Sequence, residues 1–152
     1  MKTQKHLHYL LLGIAFLLIP MIDSCKSETE LTAQEQVTAQ LIAGGDSWGM
    51  ESVTIDDVDE SGSFSDLSIK FGATSFTTTN GGLVWPSTGT WAFTTAEATS
   101  FTRDDGVEVL IESIVADELA ISLEWDKTTL DTEGGRVLSR KGKHKFRFRR
   151  IR

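Results

Sequence analysis

The 152-residue chain predicts an all-β protein: an eight-stranded antiparallel up-and-down barrel preceded by one short helix, with a two-sheet β-sandwich as the alternative. Three observations carry that reading. Apolar β-branched and aromatic residues alternate with polar ones from Trp48 onward, turn signals recur at a spacing of roughly eight to twelve residues, and the chain holds only two prolines. An even meander of short strands removes its exposed edges by closing on itself. Alternation alone does not separate closure from the stacking of two sheets.

The elements follow in order. Thr32 and Glu35 have the spacing of a capping box and Gly44-Gly45 supplies a stop, which predicts a helix from Thr32 to Ala43 with Val37, Leu41 and Ala33 on one face. A helix this short is a plug or lid. The first strand, Trp48–Ile55, changes parity between Met50 and Val53, so a bulge is expected near Glu51 or Ser52. Ser65–Phe71 and Thr74–Thr79 follow, then the turn signal Asn80-Gly81-Gly82 and the strand Gly89–Thr94. Ala98–Arg103 and Val107–Ile114 flank the tight turn Asp104-Asp105-Gly106. In Glu118–Trp125, Leu119, Ile121, Leu123 and Trp125 oppose Glu118, Ser122 and Glu124. The last strand, Lys143–Arg150, sets Phe146 and Phe148 against Lys143, Lys145, Arg147 and Arg149.

Charge is divided along the chain. Residues 26–135 carry a net −17 and the last 17 residues +9, so the final strand is expected to seek acidic neighbours such as Glu118 and Glu124. With residues 25–152 at a net −8, nucleic acid is not an expected partner.

The N-terminus sets the address. Lys2 and Lys5 precede an apolar run from Tyr9 to Ile22, shorter than the roughly 20 residues a membrane-spanning helix needs and suited to an export signal. The run ends at Ile22-Asp23-Ser24-Cys25, which resembles a bacterial lipobox, and Cys25 is the chain's one cysteine. That resemblance implies a signal peptide over residues 1–24, acylation of Cys25, a polar tether over 25–31 and a single domain over 32–152. It also implies a lipid-anchored protein of the cell envelope, on the periplasmic or surface face of the outer membrane.

Two sets of residues are candidates for binding. Trp48, Trp85, Trp91, Phe93, Phe101 and Trp125 either line a ligand cavity or fill the barrel as a packed core. Trp85, beside a Gly-rich turn, is expected at the rim as the leading contact residue. Asp57, Asp59, Ser61 and Ser63 place oxygens at alternate positions around Gly62, the opening of a calcium loop, although Ser68 stands where such loops need a bidentate Glu. The alternative is a solvated acidic loop. Catalytic signals are lacking: no G-x-S-x-G occurs, and His144, the only histidine after the signal, sits between Lys143 and Lys145. A non-catalytic protein is expected, without a cofactor beyond that calcium.

Gly45 and Trp48 at the entry to the first strand, Gly89-Thr90-Trp91-Ala92-Phe93 in the middle and Phe146-Arg147-Phe148 near the end resemble the lipocalin-like domains of small bacterial lipoproteins, over residues 44 to 150. The resemblance implies a calyx-like barrel with affinity for a small hydrophobic or amphipathic molecule. It also implies a late arginine, Arg147 or Arg149, laid over Trp48. A structural or accessory interaction protein with a filled barrel is the alternative function.

Overall fold

The computed structural model describes residues 30–130 and 137–152. The expected signal peptide, Cys25 and the expected tether as far as Thr29 lie outside the described residues.

Helix α1 (Ala33–Ile42) begins as its residues dictate: Thr32 Oγ1 accepts the Glu35 backbone N–H at 3.2 Å, and Glu35 Oε2 accepts the Thr32 N–H at 2.8 Å. Gly44 and Gly45, at φ 71° and 67°, then turn the chain into the first strand through a left-handed conformation that a side chain would strain. The packed side of α1 holds Val37, Thr38, Leu41 and Ile42, with Leu41 fully buried. Ala33, expected on that side, is exposed.

Eight strands close the barrel: β1 (Ser47–Ile55), β3 (Ser68–Phe71), β4 (Ser75–Thr79), β5 (Thr88–Phe93), β6 (Ser100–Arg103), β7 (Glu108–Val115), β8 (Glu118–Trp125) and β11 (Gly142–Ile151). Each pairs antiparallel with the next, and β11 returns to pair with β1 from Ser47↔Ile151 to Ile55↔His144. That seam excludes the sandwich. All eight expected strands are present, with ends shifted by a few residues. Glu51 is the extra residue between Met50 and Ser52, the bulge that the parity change requires.

Three elements have no period to announce them. The two-residue strand β2 (Val58–Asp59) folds back on the end of β1 through a turn in which Asp56 and Asp57 both have positive φ. A 3₁₀ turn spans Ser61–Phe64, which is why β3 starts at Ser68 rather than Ser65. A small hairpin of β9 (Thr129–Leu130) and β10 (Val137–Ser139) lies between β8 and β11. A second bulge, at Glu112, brings Ile114 back toward the core.

The basic strand β11 runs between two acidic neighbours. Lys145 pairs with Asp57 at 2.6 Å, and Arg149 with Glu51 at 2.5 Å and Glu118 at 3.7 Å. These pairs are exposed and screened by solvent, so their main effect is on register.

Candidate functional site

Strand parity points a run of rings down the barrel axis. Phe71 meets Trp91 and Phe101 edge-on at 6.1 and 6.0 Å, Phe76 meets Trp85 at 5.9 Å, Trp85 meets Phe146 at 6.0 Å, and Phe146 stacks on Phe148 at 5.9 Å. Trp48, Trp85 and Phe101 are all 99% buried or more. These three expected ligand contacts are therefore core, and the axis is occupied by their own rings.

Both ends are closed by side chains. At the helix end, Trp48 Nε1 donates to the Leu41 carbonyl at 3.0 Å and the Arg150 guanidinium lies over the indole at 4.2 Å. Arg147 and Arg149, the expected partners of Trp48, face outward. Arg150 has the parity of Phe146 and Phe148 and is the one that turns in. It also donates to the carbonyls of Ala43 at 2.8 Å, Gln40 at 2.9 Å and Ala116 at 3.1 Å, which joins α1 to the barrel.

The opposite end is filled by loop 80–87. Asn80-Gly81-Gly82 is not a tight hairpin: the loop runs on to Ser87 and folds inward, with Trp85 N–H donating to the Gly81 carbonyl at 3.0 Å. A Cβ on Gly81 would stand 2.2 Å from the Trp85 carbonyl, so this approach needs glycine. Thr78 Oγ1 donates to the Pro86 carbonyl at 2.7 Å and pins the return. Val84 and Trp85 are each 1% exposed. Trp85 is thus a plug, not the rim contact that the Gly-rich turn suggests. Arg103, inside the barrel, lies 4.7 Å over its ring and donates to the Val84 carbonyl at 2.8 Å and to both Asp105 oxygens. Partial burial pushes the Asp105 carboxyl up, but the Arg103 hydrogen bonds and charge outweigh it and hold the group below the usual carboxylate range. Sequence reasoning missed Arg103 and Arg150, although each shares the parity of neighbouring core phenylalanines.

Two clefts open beside these plugs. One, of about 580 Å³, lies at the helix end between α1, the turn at Ala73-Thr74 and the end of β5. Trp91 and Phe93 line it with Ala39, Ala92 and Ile42, and Thr38, Gln34, Thr32, Thr74 and Glu35 add polar groups. Trp91 is anchored by its N–H to the Gly72 and Ser75 carbonyls at 3.2 and 3.1 Å, and Phe93 stands edge-on to it at 4.9 Å and half-buried. The other cleft, of about 450 Å³, lies at the loop end, where Trp125 and Val107 meet Asp105, Glu108, Glu124 and Asp126. Lys127 already covers the Trp125 ring at 5.7 Å. Five of the six aromatic candidates, Trp48, Trp85, Trp91, Phe101 and Trp125, are thus buried in the core, Trp91 and Trp125 with an edge on a cleft, and only Phe93 is half-buried.

No match to this chain is found among protein-family models, characterised proteins or solved structures.

The calcium candidates do not form a cage. The Asp57 carboxylate is turned to Lys145, whose hydrogen bond and charge lower its pKa. Asp59 Oδ1 accepts the N–H and hydroxyl of Ser61 at 3.0 and 2.6 Å, capping the 3₁₀ turn, and Ser63 Oγ donates to Glu60 at 3.2 Å. Among the described residues no three His, Cys, Asp or Glu gather as a metal site, and no helix is long and apolar enough to cross a membrane.

His144 is fully buried between Phe64, edge-on at 6.0 Å, and Phe146, stacked at 6.0 Å. Its Nδ1 donates to the Gly142 carbonyl at 3.0 Å, leaving Nε2 buried without a partner. Burial pushes its pKa below the ordinary 6.5, against the Gly142 hydrogen bond and the charges of Asp56 and Glu124. Because the unfolded chain takes up this proton more readily, the contribution of neutral His144 is complete above about pH 6.5 and is lost as pH falls from there through the lowered folded value. Urea midpoints measured between pH 7.5 and 5 are expected to fall in the native chain and to stay flatter in His144→Gln. Equal slopes for both would show that His144 does not control this window.

Proposed function

We propose that this chain is a non-catalytic, envelope-tethered binding protein whose barrel is a solid scaffold and whose ligand, a small hydrophobic or amphipathic molecule, lies in the cleft beneath α1. The observation that carries this reading is the cleft itself. Its 580 Å³ falls in the range of small-molecule sites, its wall is aromatic and aliphatic, and a few hydroxyl and amide groups stand at its edge. The filled barrel axis moves the ligand from the calyx to this flank. The tether rests on Cys25 and the apolar run before it.

One preparation tests both halves. The full chain is expected in the bacterial membrane fraction and its Cys25→Ser form in the soluble fraction. Titrating either with 1-decanol is expected to change tryptophan emission, because Trp91 lies in the wall. Phe93→Ala should weaken binding about tenfold or more, as expected for loss of an aromatic contact of roughly 1.5–3 kcal/mol. No spectral change with decanol would sink the cleft reading, and a soluble native chain would sink the tether. The packed interior also favours a second reading, an accessory interaction protein, to which a silent titration would point.

A further inference from the structure

The cleft beneath α1 also has a charge character, and resting on the reading above it selects the head group of what enters. Among the described residues lining it, Glu35 is the only charged side chain, with no Lys, Arg or His beside it. The bases of the last strand lie elsewhere: Lys145 pairs with Asp57, Arg149 with Glu51, Arg150 holds the carbonyls at the far end of α1, Lys143 borders the other cleft and Arg147 lies on the outer face. The start of α1 would ordinarily favour an anion through its unpaired N–H groups. Here the capping box takes up two of those donors, the Thr32 N–H on Glu35 Oε2 at 2.8 Å and the Glu35 N–H on Thr32 Oγ1 at 3.2 Å, and sets the Glu35 carboxylate beside them as a like charge to any entering anion. The capping box therefore fixes a carboxylate at the polar end of an apolar wall formed by Ala39, Ile42, Trp91 and Phe93.

We propose that the cleft is specific for single-chain amphiphiles with a cationic or neutral hydroxyl head, and that Glu35 excludes fatty acids and other anionic amphiphiles. The chain packs along Phe93 and Ile42. A cationic head meets Glu35, a hydroxyl can exchange hydrogen bonds with Thr38 or Gln34, and a carboxylate finds a like charge with no base to offset it.

Three ligands of one chain length separate the outcomes: decyltrimethylammonium, 1-decanol and decanoate, each titrated below its micellar range against the full chain at low salt with tryptophan emission as readout. The expected order is cation, then alcohol, then carboxylate, with roughly fivefold between neighbours, the scale of one partly exposed charge contact. The spread should narrow in 0.5 M salt. Glu35→Gln keeps a capping-box residue, and its cation-to-carboxylate ratio should fall toward one. Ala39→Lys, which puts a base in the wall one turn after Glu35, where it can pair with and offset that carboxylate, should raise decanoate affinity above that of the native chain. Decanoate binding as tightly as decanol, or a ratio unmoved in both variants, would overturn the selectivity while leaving the cleft as a ligand site. Silence from all three would overturn the cleft and the selectivity together.

Discussion

Replacing Arg103 with methionine is expected to destabilise the protein by about 3–5 kcal/mol, although the side chain touches neither cleft wall of the helix end. Arg103 is 2% exposed inside an aromatic barrel. Its guanidinium nitrogens are all used: Nη1 reaches the Val84 carbonyl at 2.8 Å, and Nε and Nη2 fork onto Asp105 at 3.0 and 2.5 Å. Methionine keeps much of the volume and so isolates the polar loss. It leaves the Val84 carbonyl buried without a donor and Asp105 without its cation, and it removes the charge lying over Trp85. Lysine should restore little, since an ammonium cannot form the fork. Asp105→Asn should cost less, because about a third of that side chain is exposed and water can take up its role. Urea denaturation followed by tryptophan emission measures all three. Arg103→Met within 1 kcal/mol of the native chain would show that loop 80–87 holds its place without the guanidinium.

Arg103 also marks where sequence reasoning stopped short. The strands were legible because alternation is a physical necessity wherever one face is buried: Leu119, Ile121, Leu123 and Trp125 are inside and Glu118 and Glu124 outside, as their spacing requires. The capping box of Thr32 and Glu35 was equally legible, since its two hydrogen bonds depend on residues three apart. Arg103 follows Phe101 by two and Arg150 follows Phe148 by two, so both carried the inward parity. Neither is picked out, because an arginine is expected outside unless a partner is known, and besides Asp105 and Asp117 their partners are backbone carbonyls that no side-chain pattern reveals. Trp85 went the other way: a loop has no period, and only the return of the chain over Gly81 shows that the ring is inside. The cleft under α1 was half legible. Trp91 and Phe93 were picked out as aromatics, but the cleft forms only where α1 meets the Ala73-Thr74 turn and the end of β5, a relation between elements far apart in sequence.

The second large effect belongs to the helix end, and it ties stability to binding. Trp48→Ala is expected to cost about 3–5 kcal/mol, the scale for emptying a fully buried aromatic site. Arg150→Ala should cost less, about 1–3 kcal/mol, because its guanidinium works through hydrogen bonds to exposed carbonyls. The two effects should not add. Trp48 holds the Leu41 carbonyl, Arg150 holds those of Gln40 and Ala43, and together they satisfy the end of α1 that its own hydrogen bonds leave open. Once either is gone the helix end is loosened, and the other has less to secure. A double-mutant cycle is therefore expected to show a coupling of about 0.5–3 kcal/mol, with the pair costing less than the sum. Strict additivity would mean that indole and guanidinium act on separate structures and that the stacking at 4.2 Å is incidental. Binding supplies the independent check. The start of α1 is held to the barrel by Gln34 Nε2 donating to the Thr95 carbonyl at 2.9 Å, so loosening its other end frees the wall that carries Thr38, Ala39 and Ile42. Arg150→Ala, still folded, should thus lose decanol affinity along with helix order, whereas Arg103→Met, which acts at the opposite end of the barrel, should lose stability and keep its cleft.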